Sequence, residues 1–498
     1  RDCSHLVRSY VVYNRTCSED FRHAISTRRV VLAYDAETAS FLLQQEVLAT
    51  CWVDGNRDFT GRVSSLVKFT SNGASVGSQP DVSDIEIELE DFTYQLERNI
   101  DEIGPIVRES IPVCDPSNQS YSAVHLILTA ANMSANITET IPTVLPAFVV
   151  ESGTLADALD TLLHEYGYTY AINAYGQVEL VRWINPQAQG QLTEQTIQAG
   201  VEIEQLRLDY DAVEVHWHTL KQKTGVLLYM ADLPFGSDNR RSGWPIHPGY
   251  LWPEEANVRE AWWTYTDVAL ANTLNERNEV IKNEDFSGIV LTKNHRIEDR
   301  VDEGVVREVA VFRNKEARVA YRNNSAAGKN IYYCNIIGDA IYKAAKHTVT
   351  GSIVEDGKRV LSYEASYIHD EASAQAYCAA RLSHLRYAWR YTFRTEQGLP
   401  FYVYSLQEPY SSMQALVFLV EHEWNLEDDQ HIYKAVAVGS VQISPVVQKT
   451  TVMPSPAWAT SVPALQLERM PTFTDIQYGY NASGGTTTPA IPTLKLDT

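Results

Sequence analysis

Cysteine is scarce in this chain: six residues in 498, at Cys3, Cys17, Cys51, Cys114, Cys334 and Cys378, with no Cys-x-x-Cys pair. That excludes a disulfide framework and the common zinc spacings. Cys378 sits in an Ala-rich stretch and reads as a small buried residue, while Cys3 and Cys17 stay open between a local bridge and free thiols. Long hydrophobic runs are also missing. No stretch reaches the roughly 18 uninterrupted apolar residues that a spanning helix needs, and the first residues, RDCSHLVRSY, lack a secretory hydrophobic region, so stable membrane insertion is not expected. Basic blocks are absent too. Lys and Arg number 41 against 63 Asp and Glu, a formal charge of −22 spread through patterned segments, and a surface of that sign repels nucleic acid. A phosphate loop is missing as well: in AAGKN, Gly328-Lys329 is followed by Asn330 where Ser or Thr is required, and the upstream glycine is lacking.

What is present is a length sufficient for several domains and a 44% hydrophobic content able to bury their cores. From 28 to 104 short strands alternate with Gly, Asn, Asp and Ser turns. The most informative is DVSDIEIELEDFTYQL. Ile85, Ile87 and Leu89 fall on one face and Asp84, Glu86, Glu88 and Glu90 on the other, because strand side chains alternate with period two. Residues 105–204 are mixed. AVHLILTAANMSA predicts a helix, and GTLADALDTLLHEYGYTYAINAYGQVELVRW (153–183) predicts a helix packed on a hairpin. Thr154 and Asp157 mark its start, Leu155, Leu159, Leu162 and Leu163 form one stripe, Gly167 lies past the end, and a turn falls at Asn173–Gly176. Strand alternation returns at 201–218. Residues 232–266 are dense in Pro, Gly and aromatics and read as long loops. KNIYYCNIIGDAIYKAAK reads as a strand followed by a short apolar piece. Residues 370–389 predict a second helix, acidic at its start and Arg-rich near its end, and strands follow to about 445. Beyond 449 the Pro, Thr and Ser content predicts an extended arm.

Chemistry-bearing patterns are few. Gly73-Ala-Ser75-Val-Gly77 satisfies G-x-S-x-G, but a nucleophile elbow needs a helix immediately after the serine, and SQPDVSD follows; a Gly-rich hairpin turn is expected. His216 and His218 share a strand face, and His422 lies between Glu421 and Glu423. No spacing ties the three into a metal site, so solvated or stacked strand histidines are expected, and His164 reads as a surface residue beside Tyr166. Paired carboxylates suited to glycoside hydrolysis would need one acid in an apolar cleft, whereas most acids here alternate along open strand faces. Trp244, Tyr250, Trp252, Trp262 and Trp263 suit an interface or a sugar-stacking surface, or else pack over their own domain.

The stretches FTGRVSS (59–65), DIEIELEDFTYQL (84–96), GTLADALDTLLHEYGYTYAINAYGQVELV (153–181), LDYDAVEVHW (208–217), ARVAYRNNSAAGKNIYYCNIIGDAIY (317–342) and DEASAQAYCAARL (370–382) occur in an order that resembles the tail hub proteins of tailed bacteriophages, baseplate hubs and tail tip hubs alike. The resemblance implies an α+β, mostly β fold: two tube-like antiparallel β-barrel domains, an inserted mixed α/β domain and an extended C-terminal arm. It places an N-terminal segment at 1–27, the first barrel at 28–104 and the inserted domain at 105–202. The second barrel falls at 203–232 and 350–447, an insertion of aromatic loops and strands at 233–349, and the arm at 448–498. It further implies a homotrimer in the virion, at the tail tip or baseplate, whose ring caps or continues the tail tube and encloses a channel for DNA ejection during host entry. Its expected partners are distal tail or tail tube proteins, the tape measure protein, and tail fibre or tip proteins reached by the arm, with DNA only in transit. No cofactor, metal or catalytic residue is implied. Asp84, Glu86, Glu88 and Glu90 are the candidates for a lumen lining or ring contact. Two other readings stay open, a tail-associated cell-wall hydrolase and a carbohydrate-binding host-recognition module.

Overall fold

The computed structural model describes residues 2–15, 18, 21–43, 47–53, 55–71, 82–193, 195–205, 210–230, 244–253, 256, 260–265, 272–274, 280–282, 287–353, 359–386, 389–396, 398–399, 403–408, 413–425, 430–438, 442–443 and 492–497. Within them the protein is mostly β, with short helices set between strand groups.

Five strands frame the N-terminal side: β1 (Val7–Arg15), β2 (Thr27–Ala33), β3 (Leu48–Val53), β4 (Asn56–Ser71) and β5 (Val82–Glu90). They pair antiparallel in the order β1-β2-β5-β4-β3. One parity of each strand is apolar and goes inward. Tyr10, Val12, Val30, Leu32, Ile85, Ile87 and Leu89 are almost wholly buried in one core, each aliphatic contributing about 1.5–3 kcal/mol by leaving water. The Ala36–Leu42 helix, capped by an Asp35 carboxylate that accepts from the Thr38 N–H, adds Ala39 and Leu42 to that core. Glycine is required once here: a Cβ at Gly61 would stand 2.0 Å from the Glu90 carbonyl oxygen, so only a bare α-carbon lets β4 lie this close to β5.

A second antiparallel set runs Gln198–Gln205, Trp389–Thr395, Gln430–Ala437, Met413–Asn425, with Val403–Glu408 on the other side of Met413–Asn425. The two sets are not separate. β1 pairs through Val11–Arg15 with Asn425–Glu421, and a 13-stranded sheet results. The strand Val7–Arg15 therefore lies inside the segment that the sequence set apart as 1–27. At the far edge the C-terminal strand Pro492–Asp497 pairs antiparallel with β3 and runs close to β1 and to the Ser4–Leu6 turn. Part of the expected extended arm, Pro492–Asp497, is thus a strand of the sheet.

Between residues 106 and 182 helices and paired strands alternate. Ile106–Cys114 pairs with Ile141–Val150, Tyr168–Ile172 pairs with Val178–Arg182, and the helices Ala123–Ala130 and Leu155–Glu165 pack between them. The Thr154 and Asp157 side chains exchange hydrogen bonds with each other's backbone N–H, closing the expected capping box. The segment expected at 203–232 as one barrel piece is split. Gln198–Gln205 joins the 13-stranded sheet, whereas Ala212–Met230 begins a five-stranded sheet with Lys329–Ser352, Gly288–Val301, Trp244–Ile246 and Val360–Glu364. Lys329–Ser352 is one long strand, not a strand followed by a separate apolar piece. Register shifts against both neighbours at several points interrupt its simple alternation.

Candidate functional site

The acidic row on β5 is built as its period predicts: Ile85, Ile87 and Leu89 inward, the four carboxylates on the opposite face. The neighbouring strands supply cations to it. Asp84 lies 2.7 Å from an Arg8 nitrogen; Glu86 accepts from Arg29 Nε at 2.9 Å and from Lys68 Nζ at 3.2 Å; Glu90 accepts from Arg62 at 3.1 Å. Hydrogen bonding from Arg29, with lesser help from Lys68, holds the Glu86 carboxyl below its ordinary range. Glu88 is exposed, opposite Arg29 in register. Four acids thus face four bases, and the surface is a lattice of half-exposed ion pairs with little net field. Each such pair contributes about 0–1 kcal/mol, small enough to be exchanged for a pair with another chain.

The five aromatics do not form one exposed platform. Trp252 is buried at 9% exposure, with its ring centroid 4.7 Å from Trp244, 5.6 Å from Trp263 and 6.0 Å from Tyr321, and Trp263 in turn stacks on Tyr229 at 5.3 Å. Together with Tyr265, Val319 and Ile336 they fill a core between the five-stranded sheet and a small sheet of Leu251–Trp252, Trp263–Thr264, Glu316–Asn323 and Val305–Phe312. Short strands thus stand where the sequence pattern reads as long loops. Trp262 is half-buried with the Arg313 guanidinium 3.8 Å over its ring, and Tyr250 is exposed.

The histidines are separated by the fold. His216 and His218 sit on Ala212–Met230, in a different sheet from His422 on Met413–Asn425. His216 bonds the Thr348 hydroxyl at 2.8 Å and the Ser362 hydroxyl at 2.9 Å. His422 stacks on Tyr433 at 4.4 Å and lies 2.9 Å from a His431 ring nitrogen; burial, then the neighbouring His431, push it down to about 3. Among the described residues no group of three His, Cys, Asp or Glu could hold a metal ion. Ser75 lies outside the described residues. His164 corrects the sequence reading: it is buried, not on the surface, because its side of the Leu155–Glu165 helix packs on the Glu371–Arg386 helix, where the Tyr377 hydroxyl meets its Nδ1 at 2.9 Å.

Two buried polar clusters were not read from the sequence. Arg28 is 2% exposed and donates through Nε to Asp58 at 2.9 Å, while the Tyr10 hydroxyl donates to the same carboxylate oxygen at 2.6 Å and the guanidinium lies 4.7 Å over the Phe59 ring. Burial pushes the Asp58 carboxyl up, but the Arg28 charge and the two donors outweigh it and leave it below its ordinary value. A signal existed, since Arg28 shares the parity of Val30 and Leu32. Glu165, the last residue of its helix, accepts from the backbone N–H groups of Ser366 and Tyr367, both at 2.7 Å, and from the Tyr363 hydroxyl at 3.2 Å. Burial raises it to about 7 against those donors. That value suits a general acid, but the side chain is 2% exposed and both oxygens are committed to the chain that enters the next helix. It is a brace.

A cleft of about 480 Å³ lies beside this brace, lined in part by Glu151, Asp157, Lys315, Lys343, Ser366 and His369. Its carboxylates are engaged: Glu151 accepts from Lys315 and Asn314, both at 2.6 Å, and Asp157 closes the capping box. Burial, first of all, pushes His369 down to about 4, so it stands neutral.

No protein-family model matches the chain, and no curated protein matches it. Solved structures similar to it include the 43 kDa tail protein of prophage MuSo2 from Shewanella oneidensis, at 9% identity and a TM-score of 0.44, covering 88% of this chain and 99% of that one. A tail protein from Neisseria meningitidis MC58 is similar at 10% identity and 0.43, covering 86% and 92%, and the prophage tail protein gp18 from Listeria monocytogenes EGD-e at 7% and 0.39, covering 86% and 87%.

Proposed function

We propose that the chain is a structural protein of a bacteriophage tail: a hub at the tail tip or baseplate, assembled as a homotrimer around a channel through which DNA leaves the particle. The observation that carries this reading is the seam between β1 and Met413–Asn425, which welds two antiparallel strand sets of one chain into a single wall. Three such walls, each contributing two strand sets, offer six similar faces to a sixfold tube, and closed cyclic symmetry protects their edges. The ion-pair lattice around Asp84, Glu86, Glu88 and Glu90 serves as a ring contact in preference to a lumen lining, because Arg8, Arg29, Arg62 and Lys68 cancel the repulsion that passing DNA would need. The tube, the tape measure protein and the fibres or tip proteins are the partners of such a hub. The role is architectural, and the buried acids brace the scaffold. Light scattering on the purified protein across a dilution series tests the reading: three times the chain mass is expected, and a single-chain mass at every concentration refutes self-assembly into a ring.

A further inference from the structure

We infer that the cleft of about 480 Å³ beside the Glu165 brace is a binding site for a small hydroxylated carboxylate, a compound with an anionic group and hydroxyl donors on one compact frame. Its volume falls within the range of about 300–1,000 Å³ usual for small-molecule sites, and it lies where two units of the chain meet, a common place for one. Ile141–Val150 and Leu155–Glu165 supply one wall, Gly288–Val301 and Lys329–Ser352 the other, and the stretch 366–369 contributes to the lining. The two walls are already tied together. Lys293 pairs with Glu109, Lys315 pairs with Glu151 at 2.6 Å, and Ala147, Leu291 and Ile341 share a buried apolar contact.

Two polar groups lining this cleft have bonding capacity left over. Lys343 makes no ion pair and no side-chain hydrogen bond among the described residues, whereas Lys293, Lys315 and Lys346 are each paired with a glutamate. The carboxylates of the same cleft do not reach it, since Glu151 is held by Lys315 and Asn314 and Asp157 by the helix cap. Gly288 stands opposite Lys343 in register, so the adjoining strand lays no side chain over the lysine, and a Cβ there would meet no heavy atom within 4 Å. The second group is His369. Its Nδ1 lies 3.1 Å from the His218 carbonyl oxygen, which can only accept, so Nδ1 carries the hydrogen. Burial, and less strongly the Lys343 charge, disfavour a second proton. Nε2 is therefore a lone pair, and none of the described residues donates to it.

Lys343 can only donate and this Nε2 can only accept, which sets the chemistry of the occupant. A plain carboxylate satisfies the first group alone, and a neutral sugar the second alone. A compound with both a carboxylate and ring hydroxyls satisfies the two together, and Val149, Ile289 and Val290 give its frame apolar surface to lie against.

The test titrates the full chain at neutral pH with three probes, read by saturation-transfer NMR. Glucuronate carries both groups, glucose lacks the carboxylate, and cyclohexanecarboxylate lacks the hydroxyls. Glucuronate should bind more tightly than either of the others by about tenfold or more, the factor that one hydrogen bond to a charged group supplies. Lys343→Gln should weaken glucuronate by about tenfold or more and leave glucose unchanged, while Lys343→Arg, which keeps the charge, retains most of the affinity. As a second variant on a different segment, His369→Phe should weaken glucuronate and leave cyclohexanecarboxylate unchanged; near-ultraviolet circular dichroism checks that each variant is folded. No binding of glucuronate by the parent, equal binding of all three probes, or unchanged affinity in Lys343→Gln overturns the assignment. Cyclohexanecarboxylate binding as tightly as glucuronate overturns the hydroxylated ligand and makes the cleft a seat for plain carboxylates, such as an acidic side chain of another protein. None of these readings depends on the mass of the assembly, so this inference and the hub reading fail separately.

Discussion

Replacing Glu165 by Gln tests whether the helix end is braced as the structure indicates. Both carboxyl oxygens face donors, one toward the Ser366 N–H and the Tyr363 hydroxyl and the other toward the Tyr367 N–H. A Gln amide can present an oxygen to only one side. The other donor then meets an NH₂ group, and an unsatisfied buried donor costs about 1–3 kcal/mol. Titration adds a second effect of known sign. Because burial raises the folded pKa to about 7 from an ordinary value near 4.5, the folded chain holds this proton more tightly than the unfolded chain. Stability from this group is therefore greatest at low pH and is lost as pH rises toward and through 7. At about 1.4 kcal/mol per pKa unit, the change between pH 5 and pH 8 is about 2–3 kcal/mol. Gln does not titrate and escapes that loss. In equilibrium urea unfolding, the variant should be less stable than the parent by about 1–3 kcal/mol at pH 5, and the difference should shrink to near zero or reverse at pH 8. A difference that grows from pH 5 to pH 8 would mean that the folded state prefers the carboxylate, and would refute the reasoning.

Other substitutions probe the remaining features. Asp58→Asn strips the charge that matches Arg28 and should destabilise the first strand set by about 3–5 kcal/mol, measured by urea unfolding; Arg28→Met should cost less, since it leaves no unpaired buried cation. Gly61→Ala forces a methyl group against the Glu90 carbonyl and should lower stability by about 1–3 kcal/mol, read as a shift in the denaturation midpoint. Trp252→Ala removes a buried ring and should cost about 3–5 kcal/mol with loss of near-ultraviolet circular dichroism, whereas Tyr250→Ala, at an exposed position, should change stability by less than about 0.5 kcal/mol. Glu86→Lys breaks two ion pairs and should weaken self-assembly in light scattering, while leaving monomer unfolding within about 1 kcal/mol of the parent.

Local chemistry was readable where one residue's environment follows from its near neighbours in the chain. The capping box at Thr154 and Asp157, the turn at Asn173–Gly176 and the two-faced β5 strand each depend on contacts within a few positions, and each stands where its pattern put it. The helix at Glu371–Arg386 begins, as its acidic start indicated, with Asp370 accepting from the Ser373 N–H. The mostly β character followed from the same periodicities. Reading failed where a side chain's surroundings come from far along the chain. His164 carries no mark of the Tyr377 hydroxyl that buries it, and Trp252 none of the strands that enclose it. Glu165 gives no sign that the backbone of residues 366 and 367 will close over it.

The sequence by itself determined the helices at Leu155–Glu165 and Glu371–Arg386, the apolar face of β5, and that the acids of β5 lie in a row, because backbone sterics and side-chain periodicity act over a few residues. Only the tertiary structure decided which strand lies beside which. It set β1 against Met413–Asn425 across some 400 residues of chain. It brought cations from three other strands onto the acidic row, so that a stripe of negative charge became a balanced surface. It also turned the last residues of an apparent arm into a strand on β3. The physical reason is that strand pairing uses backbone groups common to every residue. Partners are therefore chosen by the packing of whole faces, which no local window contains.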